Sequence, residues 1–402
     1  MKRLIPIMIV AAVALPSCND EPGGSVQPAG AITFGAPVME VETRSTFKDA
    51  LDAGDSFGVL GYCLGYTVNP DDGDAFEYTS GATVWRQKYN VCPPAVFYKQ
   101  RVTVQQDGTC TYDRTNPSAG SGNNPKFWYA DGVGLDGVAE EGVTNADNYL
   151  YTFFAYSPYD AFRVIAPADE NTASAPVFRF DMPQAGSTAS TVLDHTITPD
   201  AMLAVLYNSR KNGGNLQFNF SHALTGLGFK INNYSSRHLL VDHVELQGTF
   251  YKTLEIDCAT SPAEYTTPAA STYSGTYVIY DSLMDLSNDG NSTVVSHEPE
   301  ADDYVMLIAG TENKSLGPDS NELTINIRYK FWEDGESEPD EWTTKSLKRT
   351  ATFTFRSGMR YVAELDFVGD AFTINFVQAN SDMWQDGEAD DGDETNDDIV
   401  FE

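Results

Sequence analysis

The chain has 402 residues and a formal net charge of −33 at pH 7, from 58 acidic and 25 basic side chains. This charge argues against nucleic acid and anionic lipid headgroups as partners, because both would be repelled over the whole surface. With 41% hydrophobic and 12% aromatic residues the chain is expected to be globular, and its length fits two ordinary cores better than one.

Residues 1–17 have the pattern of a removable export signal. A basic start, a short apolar core and a small-residue cleavage site precede Cys18, and the core is too short to span a bilayer. A cysteine in this place resembles a bacterial lipobox, which implies a lipid on Cys18 and removal of residues 1–17. An ordinary secretion signal is the alternative. Residues 18–31 then form a tether without a core-forming pattern.

Residues 32–62 are predicted to form a strand, a polar connector and a second strand. In the first strand apolar side chains alternate toward one face, at Ile32, Phe34, Ala36 and Val38. Pro37 cannot donate to a ladder, so this strand is expected at a sheet edge. The connector carries Arg44, which composition alone interprets as a solvated arginine, with a processing role as the alternative.

Besides Cys18 the chain has four cysteines, an even number in a compartment that permits disulfides. Their spacings match neither a CxxC motif nor a zinc pattern, and they stand at Cys63, Cys92, Cys110 and Cys258. A disulfide among Cys63, Cys92 and Cys110 and a set of buried free thiols are equally good interpretations.

Period-two alternation dominates the rest of the chain and indicates strands. The clearest case is residues 323–331, LTINIRYKF, in which five apolar side chains face one way. Residues 200–207, DAMLAVLY, fit a short helix or a buried strand equally well. Many short strands with frequent turns predict an all-β protein built of β-sandwiches. Shorter alternating runs, bounded by turn residues, lie at 216–220, 351–355, 361–367 and 372–376.

A domain boundary is predicted near residue 210, where two polar, turn-rich stretches occur. It divides an N-terminal β-sandwich, residues 32–210, from a C-terminal β-sandwich, residues 211–402, which ends in an acidic tail. Residues 386–398 of this tail lack the register of an EF-hand loop, so a solvated linker is the better interpretation. The apolar residues that follow are expected to need a partner surface, and they are Ile399, Val400 and Phe401.

The search for catalytic chemistry is mostly negative. The sequence has no GxSxG elbow, no HExxH and no Walker loop, and its 58 acidic residues single out no glycosidase pair. We therefore predict that the protein is not an enzyme and has no cofactor and no metal site. A secreted glycoside hydrolase lacks a supporting motif. Three aromatic residues are candidates for a glycan platform, although such rings belong more often to the core, and they are Trp128, Tyr129 and Tyr159.

Several stretches, taken in order and spacing, resemble one family. Each motif is loose by itself, but together they cover essentially the whole chain after the signal. They resemble fimbrillin-like proteins, the type V pilin superfamily of Bacteroidales. The matching stretches are Thr43-Arg44, residues 54–62 (GDSFGVLGY), residues 149–159 (YLYTFFAYSPY), residues 220–231 (FSHALTGLGFKI), residues 361–376 and Trp384 with the final apolar residues.

The resemblance implies two transthyretin-like β-sandwich domains in tandem and export as a surface-exposed lipoprotein of the outer membrane. In polymerising members a trypsin-like protease cuts after an arginine in the first connector. Here that residue would be Arg44, and Ser45 would begin the mature subunit. The first strand would be lost, with Ile32, Phe34, Ala36 and Val38. A neighbouring fimbrial subunit would then fill the groove with Ile399, Val400 and Phe401.

Some relatives are uncut, which leaves an alternative function open. The protein would then be a non-polymerising surface adhesin, or a fimbrial tip or anchor lipoprotein, that binds a glycan or a host protein. In this case the lipid on Cys18 would hold it in the outer membrane. Whether the protein polymerises or not, nucleic acid is not an expected partner.

Overall fold

The structure, a computed structural model, describes residues 30–39, 51–65, 92–112, 125–130, 132–141, 149–183, 192–209, 211, 215–259, 262–268, 270–288, 290, 294–300, 303–310, 315–318, 323–348 and 354–378. These residues form mainly strands and include the short 3-10 helix His195–Ile197. Within the same ranges no helix is long and apolar enough to cross a membrane.

The strands in chain order are β1 (Val38–Met39), β2 (Ser56–Gly65), β3 (Phe97–Val104), β4 (Cys110–Tyr112), β5 (Tyr149–Ser157), β6 (Phe162–Ala166), β7 (Val177–Asp181), β8 (Val192–Leu193), β9 (Met202–Ser209), β10 (Asn219–His222), β11 (Thr225–Asn233), β12 (His238–Tyr251), β13 (Thr253–Asp257), β14 (Glu264–Thr266), β15 (Thr272–Tyr280), β16 (Met284–Asp285), β17 (Val295–His297), β18 (Val305–Leu307), β19 (Thr324–Trp332), β20 (Thr343–Lys348), β21 (Arg360–Val368) and β22 (Ala371–Gln378).

Four sheets are formed by these strands. A seven-stranded sheet has the order β1-β10-β9-β5-β2-β3-β4, and a four-stranded sheet has the order β14-β13-β7-β6. A five-stranded sheet has the order β17-β11-β21-β22, with β18 also paired to β11. A six-stranded sheet has the order β20-β19-β12-β15-β8, with β16 also paired to β12. The prediction of an all-β fold is thus confirmed.

Three clusters of buried side chains lie around these sheets. One fills the space between the five- and six-stranded sheets, and a second fills the space between the seven- and four-stranded sheets. The third covers the opposite face of the seven-stranded sheet and includes Ile32, Phe34 and Trp128. The seven-stranded sheet therefore has apolar contacts on both of its faces.

Burial on one face or two explains the sequences of the strands. In β5, Tyr151 and Phe153 belong to the third cluster, whereas Phe154 and Tyr156 belong to the second. Because both faces of β5 are covered, its residues from Leu150 to Ser157 are all buried, and most of them are apolar or aromatic. In β19 the buried and less buried residues alternate over most of the strand, because one face packs on the core.

Strands from both sides of residue 210 share sheets. β10 pairs with β9, and β13, which also follows residue 210, pairs with β7. β8, which precedes residue 210, pairs with β15 of the six-stranded sheet, which follows it. Residue 210 thus does not separate the sheets, and the tandem domains over 32–210 and 211–402 stay a prediction.

Candidate functional site

The most informative site is built around residues 30–39, which we call the inserted segment. Phe34 pairs in antiparallel fashion with Cys110 of β4 and in parallel fashion with Leu216. Further along, β1 pairs in parallel with β10. The segment therefore fills a groove between β4, at one end of the seven-stranded sheet, and the residues that lead into β10 at the other.

The expectation of an edge strand is only partly correct. β1 does stand at the end of the sheet order, as the presence of Pro37 predicted. At Phe34, however, the chain has a backbone partner on each side. Removing the segment would therefore uncover two rows of backbone groups that face each other, which is a better acceptor for a new strand than one open edge.

Backbone hydrogen bonds fix the segment on both sides. The Ile32 amide donates to the Lys126 carbonyl oxygen at 2.8 Å. On the other side the Gly35 amide donates to the Leu216 carbonyl oxygen at 2.8 Å, and the Leu216 amide donates to the Thr33 carbonyl oxygen at 2.7 Å. These bonds set the register of the segment against both neighbours.

Two side chains of β4 also bind the backbone of the segment. The Tyr112 hydroxyl donates to the Ile32 carbonyl oxygen at 3.0 Å and accepts a hydrogen bond from the Lys126 amide at 3.1 Å. The Cys110 thiol donates to the Gly35 carbonyl oxygen at 3.3 Å. Burial raises the pKa of this thiol to about 11, so Cys110 is a neutral donor at neutral pH.

The side chains of the segment do not alternate throughout as predicted. Ile32 and Phe34 are buried, with 0% and 2% exposure. Ala36, which we expected to face the core, is exposed, and Pro37 is buried instead. The alternation therefore shifts by one residue before Pro37. For Val38 only the backbone is described, and it pairs with Asn219 of β10.

Phe34 lies in a box of four aromatic rings. Its centroid is 5.6 Å from that of Phe97 and 5.8 Å from that of Tyr112. Phe218 stacks on it at 5.9 Å, and Phe57 meets it edge-on at 6.2 Å. Aromatic contacts of this kind add to the free energy of area burial. Phe34 is therefore the main anchor of the segment.

No family model and no curated protein matches the sequence. A fimbrial protein from Bacteroides vulgatus is similar in structure, with a TM-score of 0.54, 17% identity, and coverage of 88% of this chain and 99% of that one. A putative cell adhesion protein from Bacteroides ovatus has a TM-score of 0.41 and 15% identity, with coverage of 89% and 99%.

The chain has the fold of a Bacteroides fimbrial protein. At 17% identity the likeness concerns the fold, and at that level the resemblance to fimbrillin-like proteins is confirmed. The inserted segment is part of this fold. The remaining predicted sites can be placed on it.

The aromatic platform proposed from the sequence is not available at Trp128. The fold buries its indole to 1% exposure, and the Tyr151 ring meets it edge-on at 4.7 Å. Tyr129 is half-buried and stacks on Tyr149 with centroids 4.1 Å apart. Because Trp128 belongs to the core beside the inserted segment, it cannot hold a surface glycan.

Tyr159 is also engaged within the fold. Its hydroxyl donates to the Lys99 carbonyl oxygen at 3.1 Å, and the Arg101 guanidinium carbon lies 4.9 Å from the ring centroid. The Tyr156 ring stacks on it at 6.0 Å. Its ring is therefore half-buried between neighbours rather than free as a platform.

The four described cysteines are free thiols, so no disulfide joins Cys63, Cys92 and Cys110. The Cys92 thiol donates to the Cys63 carbonyl oxygen at 3.1 Å. Burial raises the pKa of Cys92 to about 11. The buried-thiol interpretation is the one that the structure supports.

Several predicted site residues lie outside the described ranges. Arg44 and Ser45 belong to residues 40–50, which follow β1 and precede Leu51, a buried member of the third cluster. The lipid site Cys18 and the donor residues Ile399, Val400 and Phe401 also lie outside. Sequence reasoning missed the groove residues Tyr112, Cys110 and Phe218, since only their place in the fold brings them to the segment.

Proposed function

We propose that the protein is a structural subunit of a cell-surface fimbria whose inserted segment is exchanged for a strand of a neighbouring subunit. The observation that carries this proposal is the double pairing of Phe34, with Cys110 on one side and Leu216 on the other. A segment paired on both sides occupies a groove of the sheet as a strand of its own. A strand of another subunit could take the same place by β-augmentation.

The proposed steps begin with export as a lipoprotein through Cys18 to the outer membrane surface. A trypsin-like protease then cuts after Arg44, so that Ser45 becomes the new amino terminus. The segment with Ile32, Phe34, Ala36 and Val38 is from then on held only by non-covalent contacts.

After the cut, burial of apolar side chains retains the segment in the groove with a moderate free energy. Burial of one Ile and one Phe side chain stabilises by about 3–6 kcal/mol in total. Another strand that buries similar side chains and satisfies the same backbone groups can match this free energy. We expect that strand to come from residues 399–401 of another subunit, which makes fimbrial subunits the proposed partners.

The cut can be tested with two matched variants expressed in the native host. Arg44→Ala removes the proposed cleavage residue, and Lys48→Ala removes the other cationic side chain of residues 40–50. We expect wild type and Lys48→Ala to start at Ser45 and to give SDS-resistant ladders on gels. The Arg44→Ala protein should remain uncut and monomeric. Normal polymers of Arg44→Ala would overturn the proposal.

A further inference from the structure

The outward face of the five-stranded sheet carries a continuous row of polar side chains. In β11, β21 and β22 alternate residues pack on the cluster between the five- and six-stranded sheets, and the residues between them point away from it. On this outward face Ser296 Oγ donates to Asn232 Oδ1 at 2.6 Å, and Asn232 Nδ2 donates to Asp366 Oδ1 at 2.7 Å. Asn375 Nδ2 donates to Asp366 Oδ2 at 3.1 Å. This polar row crosses four strands and is fixed by its own hydrogen bonds.

The polar row is recessed between exposed apolar side chains. Asn232 and Asp366 are only 1% and 8% exposed, although they point away from the core. At one end of the face Tyr234 is 51% exposed and Val368 is also exposed, and at the other end Val377 is exposed. Along β22 these two ends are about 20 Å apart. The recess, with the polar row as its floor, is called the polar trough below.

The floor of the polar trough can still accept hydrogen bonds from a ligand. A carboxylate offers about four acceptor positions, and Asp366 uses two of them for the amides of Asn232 and Asn375. Because these two amides hold the carboxylate in place, its remaining positions have fixed directions. Asn375 is itself partly exposed, so its amide can meet a ligand group beside Asp366.

Tyr234 adds an aromatic surface at one end of this floor. Its backbone amide donates to the Phe367 carbonyl oxygen at 3.0 Å, which ties the residue to β21. Desolvation raises the pKa of the Tyr234 hydroxyl, and the nearby carboxylates of Asp366 and Glu364 raise it further. The half-exposed ring and the acceptors of the floor therefore lie close together.

The charges at the polar trough disfavour an anionic ligand. Carboxylates are contributed by Glu298, Glu364 and Asp366, and the Lys230 ammonium lies 2.8 Å from Glu298 and 3.7 Å from Glu364. Because Lys230 is already engaged by two carboxylates, sulfated or sialylated ligands would be repelled. An uncharged ligand rich in hydroxyl groups fits better, since hydroxyls form strong hydrogen bonds to a carboxylate and its C–H groups can pack on an aromatic ring.

We propose that the polar trough binds an uncharged glycan. Hydroxyl groups of one sugar ring donate to Asp366 and bond to the Asn375 amide, while the C–H face of the ring packs on Tyr234. The trough lies within a single subunit, so this binding depends neither on a cut after Arg44 nor on assembly. It adds an adhesive function to the proposed structural one.

The test applies the monomeric full chain to an array of neutral glycans and their sialylated counterparts. We expect signals on neutral glycans and at least about tenfold weaker signals on the sialylated ones. Tyr234→Ala should weaken binding to the neutral glycans by about tenfold, whereas Tyr234→Phe keeps the ring and should bind like wild type. Absence of signal on every neutral glycan, or unchanged binding by Tyr234→Ala, would overturn the proposal.

A matched control separates loss of the site from a general surface effect. Leu283→Ala removes an exposed apolar side chain between β15 and β16, outside the polar trough, and should leave binding unchanged. Urea denaturation should show that this variant and Tyr234→Ala are both folded. An equal loss of binding in both variants would contradict the assignment to the trough. Polylysine serves as a cationic probe, and its binding in place of neutral glycans would overturn the proposed class of ligand.

Discussion

The hydroxyl of Tyr112 binds the carbonyl oxygen of Ile32 at 3.0 Å. The same hydroxyl accepts the Lys126 amide at 3.1 Å, so one phenol joins the inserted segment to the backbone beside it. The ring of Tyr112 also forms one wall of the Phe34 box. β4 is therefore more than an edge of the groove, because it recognises the backbone and the side chain of the segment together.

Tyr112→Phe tests this recognition. The ring stays, but the buried Ile32 carbonyl and Lys126 amide each lose a partner, and we expect the free energy of unfolding to fall by about 1–3 kcal/mol. Urea denaturation of the uncut protein measures the change. Tyr234→Phe is the matched control, because Tyr234 is 51% exposed. An equal effect of both variants would speak against the role of the Tyr112 hydroxyl.

Phe34→Ala tests the anchor of the segment. Loss of a buried ring from a box of four should lower the free energy of unfolding by about 3–5 kcal/mol. Ala36→Ser, on the exposed side of the same segment, should change it by less than about 0.5 kcal/mol. Denaturant unfolding of both variants measures these free energies. A loss for Phe34→Ala as small as that for Ala36→Ser would show that the box is dispensable.

Trp128→Ala distinguishes a core residue from a binding platform. Since the indole is buried against Tyr151, we expect a loss of about 3–5 kcal/mol in the free energy of unfolding. Val138→Ala, at a side chain with 60% exposure, should be close to neutral. A Trp128→Ala protein of unchanged stability that had lost a glycan-array signal would restore the platform interpretation.

The alkaline limb of stability tests the buried Cys92 thiol. Burial raises its pKa from 9.0 to about 11. Unfolded chains therefore lose this proton first, and the thiol's contribution is intact below pH 9 and lost as pH rises toward 11. By pH 11 this effect lowers the free energy of unfolding by about 2 kcal/mol.

The Cys92→Ala variant isolates this contribution from those of the tyrosines. With reductant present, urea unfolding at about pH 8 and about pH 10.5 should show a smaller alkaline drop in the variant, by about 2 kcal/mol. The variant's lower stability at pH 8 does not affect this difference between two pH values. Parallel declines in wild type and Cys92→Ala would mean that the thiol ionises as easily in the fold as outside it.

Local patterns in the sequence were enough to predict many of the strands. The run at 323–331 became β19, and those at 361–367 and 372–376 became β21 and β22. In each of these strands one face packs on a core, so apolar and polar residues alternate along a short stretch of sequence. For residues 200–207, which fitted a helix or a strand equally well, the structure shows a strand, since most of them lie in β9.

Pairing between distant parts of the chain could not be predicted in this way. β13 lies beside β7, and Leu254 stands opposite Phe180, although no local pattern links the two. The Phe34 box likewise draws its rings from β2, β3, β4 and the residues before β10. Ala36 was assigned to the wrong face because the shift in alternation before Pro37 depends on the partners of the segment.

We propose that the inserted segment leaves the groove when subunits assemble. Mass spectrometry of washed, assembled material can count the peptide of residues 32–44 against a peptide from β19 of the same chain. We predict that the peptide of residues 32–44 is absent from the assembled subunits and is recovered in the membrane fraction, because the cut leaves it joined to the lipid-bearing Cys18. One copy of this peptide for every subunit in the polymer would show that the inserted segment stays in its groove and that strand exchange does not occur.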